Sequence, residues 1–253
     1  MSATSNIEWT DATWNPVTGC TKVSPGCAHC YAEAITLRFR SGGAFLPGKS
    51  TIRMHPERLG IPNSWRTSKM IFVNSMSDLF HEEVPLSFIS KVFSEMEKAG
   101  HHTFQILTKR HLRLAELAKY LPWPSNVWMG VSVENQYWAD RRVPVLKEVP
   151  AAVRFLSCEP LLKLLDLRPH LDGINWVIAG GESGSKARPM ELGWVRRLRD
   201  DCQVAEVPFF FKQWGGRTPK AGGRSLDGRT HDEMPKIDDP VDRSQVVLPA
   251  GRI

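Results

Sequence analysis

The chain has 253 residues, 42% hydrophobic and 24% charged, with a formal net charge of +6 at pH 7. That supports one large core and excludes wholesale disorder; no apolar run approaches the ~20 residues that span a bilayer. The polar start "MSATSNIEWTD" lacks an exported protein's apolar stretch, so a cytoplasmic protein with no membrane partner is expected, and its basic charge permits, without demanding, a nucleic-acid partner.

The first distinctive stretch is "GCTKVSPGCAHCYAE", residues 19–33, which holds three of the five cysteines. Three thiols cannot pair off among themselves, and Cys158 and Cys202 lie far along the chain. In a reducing compartment such a group points to a metal, an iron–sulfur cluster or a reactive thiol. A helix, "HCYAEAITLRFR", should leave the loop directly. Six apolar runs follow: "MIFVNS", "TFQIL", "VWMGVSV", "VRFLS", "NWVIAG" and "PFFFKQ". Runs of this length, bounded by turn residues, fit buried parallel strands.

Helical patterns separate several of them. "PLSFISKVFSEMEKAG" places Leu86, Ile89, Val92, Phe93 and Met96 at helical spacing, with Pro85 at its start and Gly100 at its end. "KRHLRLAELAKYL", "QYWADRRVPVLKEV" and "MELGWVRRLRDDCQVA" are the others, and Pro144 should kink or shorten the second of these. Repeated strand–helix units predict an α/β fold, a partial or complete β/α barrel over 1–216, with a doubly wound sheet as the alternative. The Gly-, Pro- and charge-rich residues 217–253 read as an irregular C-terminal extension.

Parallel β/α folds place their chemistry at the carboxyl ends of strands. Here the runs end in Asn74, Ser75, Ser77 and Asp78; Thr108 and Lys109; Ser132, Glu134 and Asn135; Ser157, Cys158 and Glu159; Glu182; and Lys212, Gln213 and Trp214. One polar ending is a helix cap; six in succession favour a shared cleft. Singly, Asp78 reads as a turn former, Lys109 as a solvated lysine and "GGES" as a weak anion-binding turn. Ser132 and Glu134 alternate along one strand, so both should enter the cleft while Val131 and Val133 pack outward. The competing reading has Glu134 capping the helix that begins near Gln136.

Three cysteines in a loop before a helix of a β/α barrel resemble the radical S-adenosylmethionine enzymes. More narrowly, "WNPVTGCTKVSPGCAHCYAE" with "VNSMSDLFHEEVP", "ILTKR", "GVSVEN", "FLSCEPLL", "VIAGGESG" and "FFFKQWGG" is similar to the three-Cys-motif phage-protein family, over roughly Trp14 to Gly216. The resemblance implies a 4Fe–4S cluster on Cys20, Cys27 and Cys30, whose open iron takes S-adenosylmethionine. It further implies cofactor contacts from His29, Asn74, Ser132, Glu134 and Glu182, and an electron donor such as ferredoxin or flavodoxin; no catalytic residue is assigned.

The motif departs from the family pattern. Six residues, not three, separate the first two cysteines, His29 replaces an aromatic residue, and "NSMSD" stands where Gly-Gly-Glu is usual. The basic runs "KARPMELGWVRRLR" and "RTPKAGGR" suggest action on a nucleic acid or nucleotide, such as DNA repair or modification. The alternatives are a non-catalytic iron–sulfur nucleic-acid-binding protein and a zinc-dependent hydrolase using Glu134 or Glu159. Zinc would need four ligands, which brings in His55 or Cys158, and Cys158 is expected to face the cleft.

Overall fold

A computed structural model describes residues 4–39, 52–218 and 220–236. The strands are β1 (Ala12–Trp14), β2 (Val17–Thr18), β3 (Arg53–Met54), β4 (Met70–Val73), β5 (Thr103–Thr108), β6 (Val127–Ser132), β7 (Val153–Cys158), β8 (Trp176–Gly180) and β9 (Phe209–Gln213). The helices are α1 (Tyr31–Phe39), α2 (Leu86–Lys98), α3 (His111–Leu117), α4 (Gln136–Lys147) and α5 (Leu192–Val204). Seven strands form one parallel sheet in the order β1-β4-β5-β6-β7-β8-β9, while β2 and β3 form a small antiparallel pair. Neighbours in the sheet follow chain order throughout, which is barrel winding and excludes the doubly wound alternative. Each end strand has a single strand neighbour, so the sheet is a curled half-barrel.

Alternation along the strands divides the core in two. Val127, Met129, Val131 and Val133 pack outward with Ile89 and Val92 of α2, Leu114 of α3 and Leu146 of α4. Trp9, Phe72, Trp128, Phe155, Trp176 and Phe210 fill the concave side with edge-on aromatic contacts. The expected outward packing of Val131 and Val133 holds. The helix "HCYAEAITLRFR" begins at Tyr31, and Arg40 lies outside the described residues.

The structure differs from the sequence pattern in three places. Pro144 does not shorten α4, which continues to Lys147. Between β7 and β8 there is only a single 3-10 turn, Arg168–His170, and buried Leu161, Leu165, Leu167 and Leu171 cover the sheet there without a helix. The sheet also begins one strand earlier than the apolar runs indicate, because β1 gains its extended form by pairing with Ile71–Val73. Residues 217–218 and 220–236 form no helix or sheet strand, yet Leu226 and His231 are buried. Phe211 N–H donates to the His231 carbonyl at 2.8 Å and Trp176 Nε1–H to the Glu233 carbonyl at 2.8 Å, so this segment covers the free edge of β9. Residues 237–253 of the expected extension lie outside the described part.

Candidate functional site

The loop between β1 and α1 lies across the carboxyl ends of the strands. Gly19 bridges to Ser77, and the Asn74 side-chain oxygen accepts from Val17 N–H at 3.2 Å, which fixes the start of the loop to the turn after β4. Cys20, Cys27 and Cys30 are all free and partly exposed at this mouth. Three sets of side chains from the barrel then hold the loop.

The first is Arg110, buried just past β5. Its Nη1 pairs with Glu82 and its Nη2 donates to the Thr21 hydroxyl (2.8 Å) and carbonyl (3.0 Å), 3.9 Å from Cys20 Sγ. Asp78 builds the floor beneath: it accepts from the Thr108 hydroxyl at 2.7 Å and from the Lys109 and Phe80 N–H groups at 3.0 Å. It is therefore a turn former that also ties β4 to β5. Burial, then the charge of Asp78, pushes the Cys20 thiol up to about 12 against the pull of Arg110. Metal binding there would release a proton.

The second is Glu134, wholly buried beyond β6. One oxygen accepts from the Ser24 hydroxyl at 2.5 Å and lies 3.5 Å from Lys109 Nζ; the other accepts from Arg142 Nη1 at 2.8 Å. A β-carbon on Gly26 would stand 2.5 Å from that first oxygen, so the loop can close over the carboxylate only because residue 26 is glycine. The cap of α4 is Asn135, whose side chain accepts from Trp138 N–H; the capping reading of Glu134 fails. Arg142, also fully buried, stacks 3.9 Å from the Trp138 ring centre.

The third is Glu182 after β8. It takes both Arg188 Nε (2.9 Å) and Nη2 (2.6 Å) and the Nδ1 of His29 (2.9 Å), while Arg188 Nη2 reaches the Pro25 carbonyl at 2.9 Å. Burial works against the charged carboxylate, but the hydrogen bonds from Arg188 and His29 outweigh it and hold the pKa at about 2. The glycines of "GGES" make room rather than a visible anion nest: a β-carbon on Gly181 would lie 1.9 Å from the Trp214 carbonyl oxygen.

Among the residues expected from the sequence, Asn74, Ser132, Glu134, Glu182, His29 and the three thiols gather at one mouth. Cys158 does not join them. It alternates with Ser157 and Glu159, so its thiol turns outward into the helix-packed core, where it is fully buried and feels Cys202 of α5. The ring nitrogens of His55 are engaged by Thr18 (2.9 Å) and Glu57 (3.1 Å). Among the described residues no three His, Cys, Asp or Glu groups converge on a point where one ion would sit. Among the described residues, zinc with four ligands on one ion finds no fourth partner, whereas a cluster spreads its thiolates over separate irons. The donor set fits the cluster: three free thiols lie in one loop, with Arg110 3.9 Å from Cys20 Sγ and Arg188 on the Pro25 carbonyl between the first two cysteines. Two buried polar atoms beneath the loop, Asn74 Nδ2 and Ser132 Oγ, have no hydrogen-bond partner among the described residues, as expected of groups awaiting a ligand.

Arg110, Arg142 and Arg188 are not among the residues expected at the site from the sequence. Arg142 left a signal: with Ala139, Val143 and Leu146 it lies on the buried stripe of α4, where an unpaired arginine is not tolerated. Glu159, paired with Lys212 at 3.0 Å, completes the inner rim.

Among solved structures the chain is similar to a spore photoproduct lyase variant (13% identity, 76% of this chain and 59% of that one, TM-score 0.47). It is also similar to a lyase variant with bound AdoMet and dinucleoside spore photoproduct (11%, 79% and 54%, 0.46). A third is dihydrodipicolinate synthase from Bacteroides thetaiotaomicron (11%, 86% and 71%, 0.35). The chain thus spans little more than half the length of those lyases. No curated protein matches it. No helix among the described residues is long and apolar enough to cross a membrane. Residues 4–235 match the model of a family described as a protein of unknown function, DUF5131, and the chain belongs to that family.

Proposed function

We propose that the protein is a radical-S-adenosylmethionine-like iron–sulfur enzyme acting on a nucleic acid or nucleotide, akin to the three-Cys-motif phage proteins. The observation that carries the reading is the seating of Cys20, Cys27 and Cys30: three free, part-exposed thiols fixed over the mouth of a half-barrel. When bound, a four-iron cluster with one open iron would supply the electron that splits the sulfonium of S-adenosylmethionine. The chain's own part is to hold and orient. Arg110, Glu134 and Glu182 with Arg188 seat the loop, and the three cationic arginines offset the thiolates' negative charge. Ser132 Oγ and Asn74 Nδ2 are the free groups best placed to meet the ribose or methionyl end of the cofactor, and His29, held by Glu182, would meet its adenine. A ferredoxin or flavodoxin would serve as electron donor.

The test is anaerobic purification with iron and sulfide counts, followed by spin-resonance spectra of the reduced protein with and without S-adenosylmethionine. About four irons and four sulfides per chain, a spectrum that responds to the cofactor, and loss of colour in Cys20→Ala, Cys27→Ala or Cys30→Ala are expected. Stoichiometric zinc without sulfide overturns the reading.

A further inference from the structure

Three loops, those following β7, β8 and β9, form one platform at one side of the mouth. Gly184 N–H donates to the Gly216 carbonyl and Gly216 N–H to the Glu182 carbonyl, each at 2.9 Å, and Leu161 N–H donates to the Gly180 carbonyl at 3.0 Å. On this platform Lys163, Lys186, Arg217 and Lys220 are exposed, and none has an ion-pair or side-chain hydrogen-bond partner among the described residues. On the opposite side of the sheet order, the loop after β4 exposes Glu83 and Glu82, the latter paired with Arg110. The unpaired cations of the mouth therefore gather toward β7–β9.

The arginines of α5, basic in sequence, are spent. Arg196 and Arg199 pair with Asp227, and Arg197 pairs with Asp201 at 2.8 Å and Asp166 at 3.3 Å. A phosphate would have to displace those carboxylates first. The rim cations carry no such cost. At the start of α1, Tyr31 is 48% exposed with its hydroxyl on the Ser75 carbonyl, and its ring gives an unstacked base a face to rest on at the mouth.

We propose that Lys163, Lys186, Arg217 and Lys220 form the docking surface for the phosphate backbone of a nucleic-acid strand, guiding it to the mouth beneath the cysteine loop. This rests on the functional reading above for what happens at the mouth, but the docking itself requires no cluster. Each phosphate contact by a lysine or arginine releases counterions, so binding weakens with salt in proportion to the number of contacts.

The test uses the full chain, purified without oxygen, with fluorescently labelled 20-nucleotide single-stranded DNA and RNA and the corresponding duplexes across a salt series. The quadruple variant K163A/K186A/R217A/K220A is compared with R196A/R197A/R199A. For single strands the quadruple variant should lose about tenfold or more in affinity at low salt and its salt slope should fall by about 3. The α5 variant should keep the parent's slope. Equal or greater loss in the α5 variant, an unchanged slope in the quadruple variant, or binding to vesicles rich in phosphatidylserine in place of any oligonucleotide overturns the proposal. Iron and sulfide are counted on the same samples. A cluster-bearing chain that binds no strand removes the docking surface and leaves the cluster reading standing; strand binding that follows the rim cations in a chain without iron does the reverse.

Discussion

Replacing Arg142 by Met tests the buried seat of the cysteine loop. Arg142 and Glu134 are both fully buried and meet at 2.8 Å. Removing one partner of such a pair leaves an uncompensated buried charge, at a cost of about 3–5 kcal/mol. Glu134 keeps the Ser24 hydroxyl and the more distant Lys109, which argues for the lower end. Methionine preserves much of the packing against Trp138, so the change reads the charge rather than a cavity. For a chain of this size each kcal/mol moves Tm by about 2–4 °C, giving a fall of roughly 6–20 °C. The double variant E134L/R142M removes both charges and should recover most of that fall, losing about 1 kcal/mol for the Ser24 hydrogen bond. Differential scanning calorimetry of the metal-free, reduced chain makes the comparison without metal linkage. A Tm for R142M within about 2 °C of the parent, or a double variant less stable than the single one, refutes the reasoning.

Three further outcomes are expected. Gly26→Ala should drive the loop off Glu134, so that Cys27 in the metal-free chain is alkylated about tenfold faster or more, as befits local opening of the seat; an unchanged rate means the loop is not held there. Glu182 has a pKa lowered from 4.5 to about 2 by its partners, so its contribution to stability is complete above about pH 4.5 and is lost as pH falls through 2. The Tm gap between the parent and Arg188→Gln should accordingly be constant at neutral pH and close in that acid window, whereas a gap that persists at pH 2 points to lost packing. Cys158→Ala should cost about 1 kcal/mol of stability as a small core truncation and leave the iron count untouched; loss of iron would place Cys158 among the ligands.

The strands that the sequence makes plain are those whose residues are buried on both faces, such as "VWMGVSV" and "NWVIAG". Ala12–Trp14 escapes notice because three residues carry too little pattern, and their extended form comes from a partner sixty residues away. The leucines between β7 and β8 have a core's composition, but Pro160 and Pro169 interrupt the segment and no helix forms. At the site, the chemical types were legible in the thiols and in the polar strand ends. The pairings were not, because Ser24 meets Glu134 and Pro25 meets Arg188 across more than a hundred residues. The parity of β7 was available from its alternation, and applied to Cys158 it would have turned that thiol away from the cleft in advance.

The segment around His231–Glu233 carries a consequence for any shortened form of the chain. An uncovered parallel strand is a template on which another molecule can assemble, and β9, "FFFKQ", offers a nearly charge-free surface for it. A protein ending near Gly216 would retain every cysteine and every loop clamp described above, yet it would expose that strand along its length. Such a truncation should accumulate as insoluble polymer rather than as a minimal catalytic core, and the irregular tail is in this respect a solubility element of the sheet.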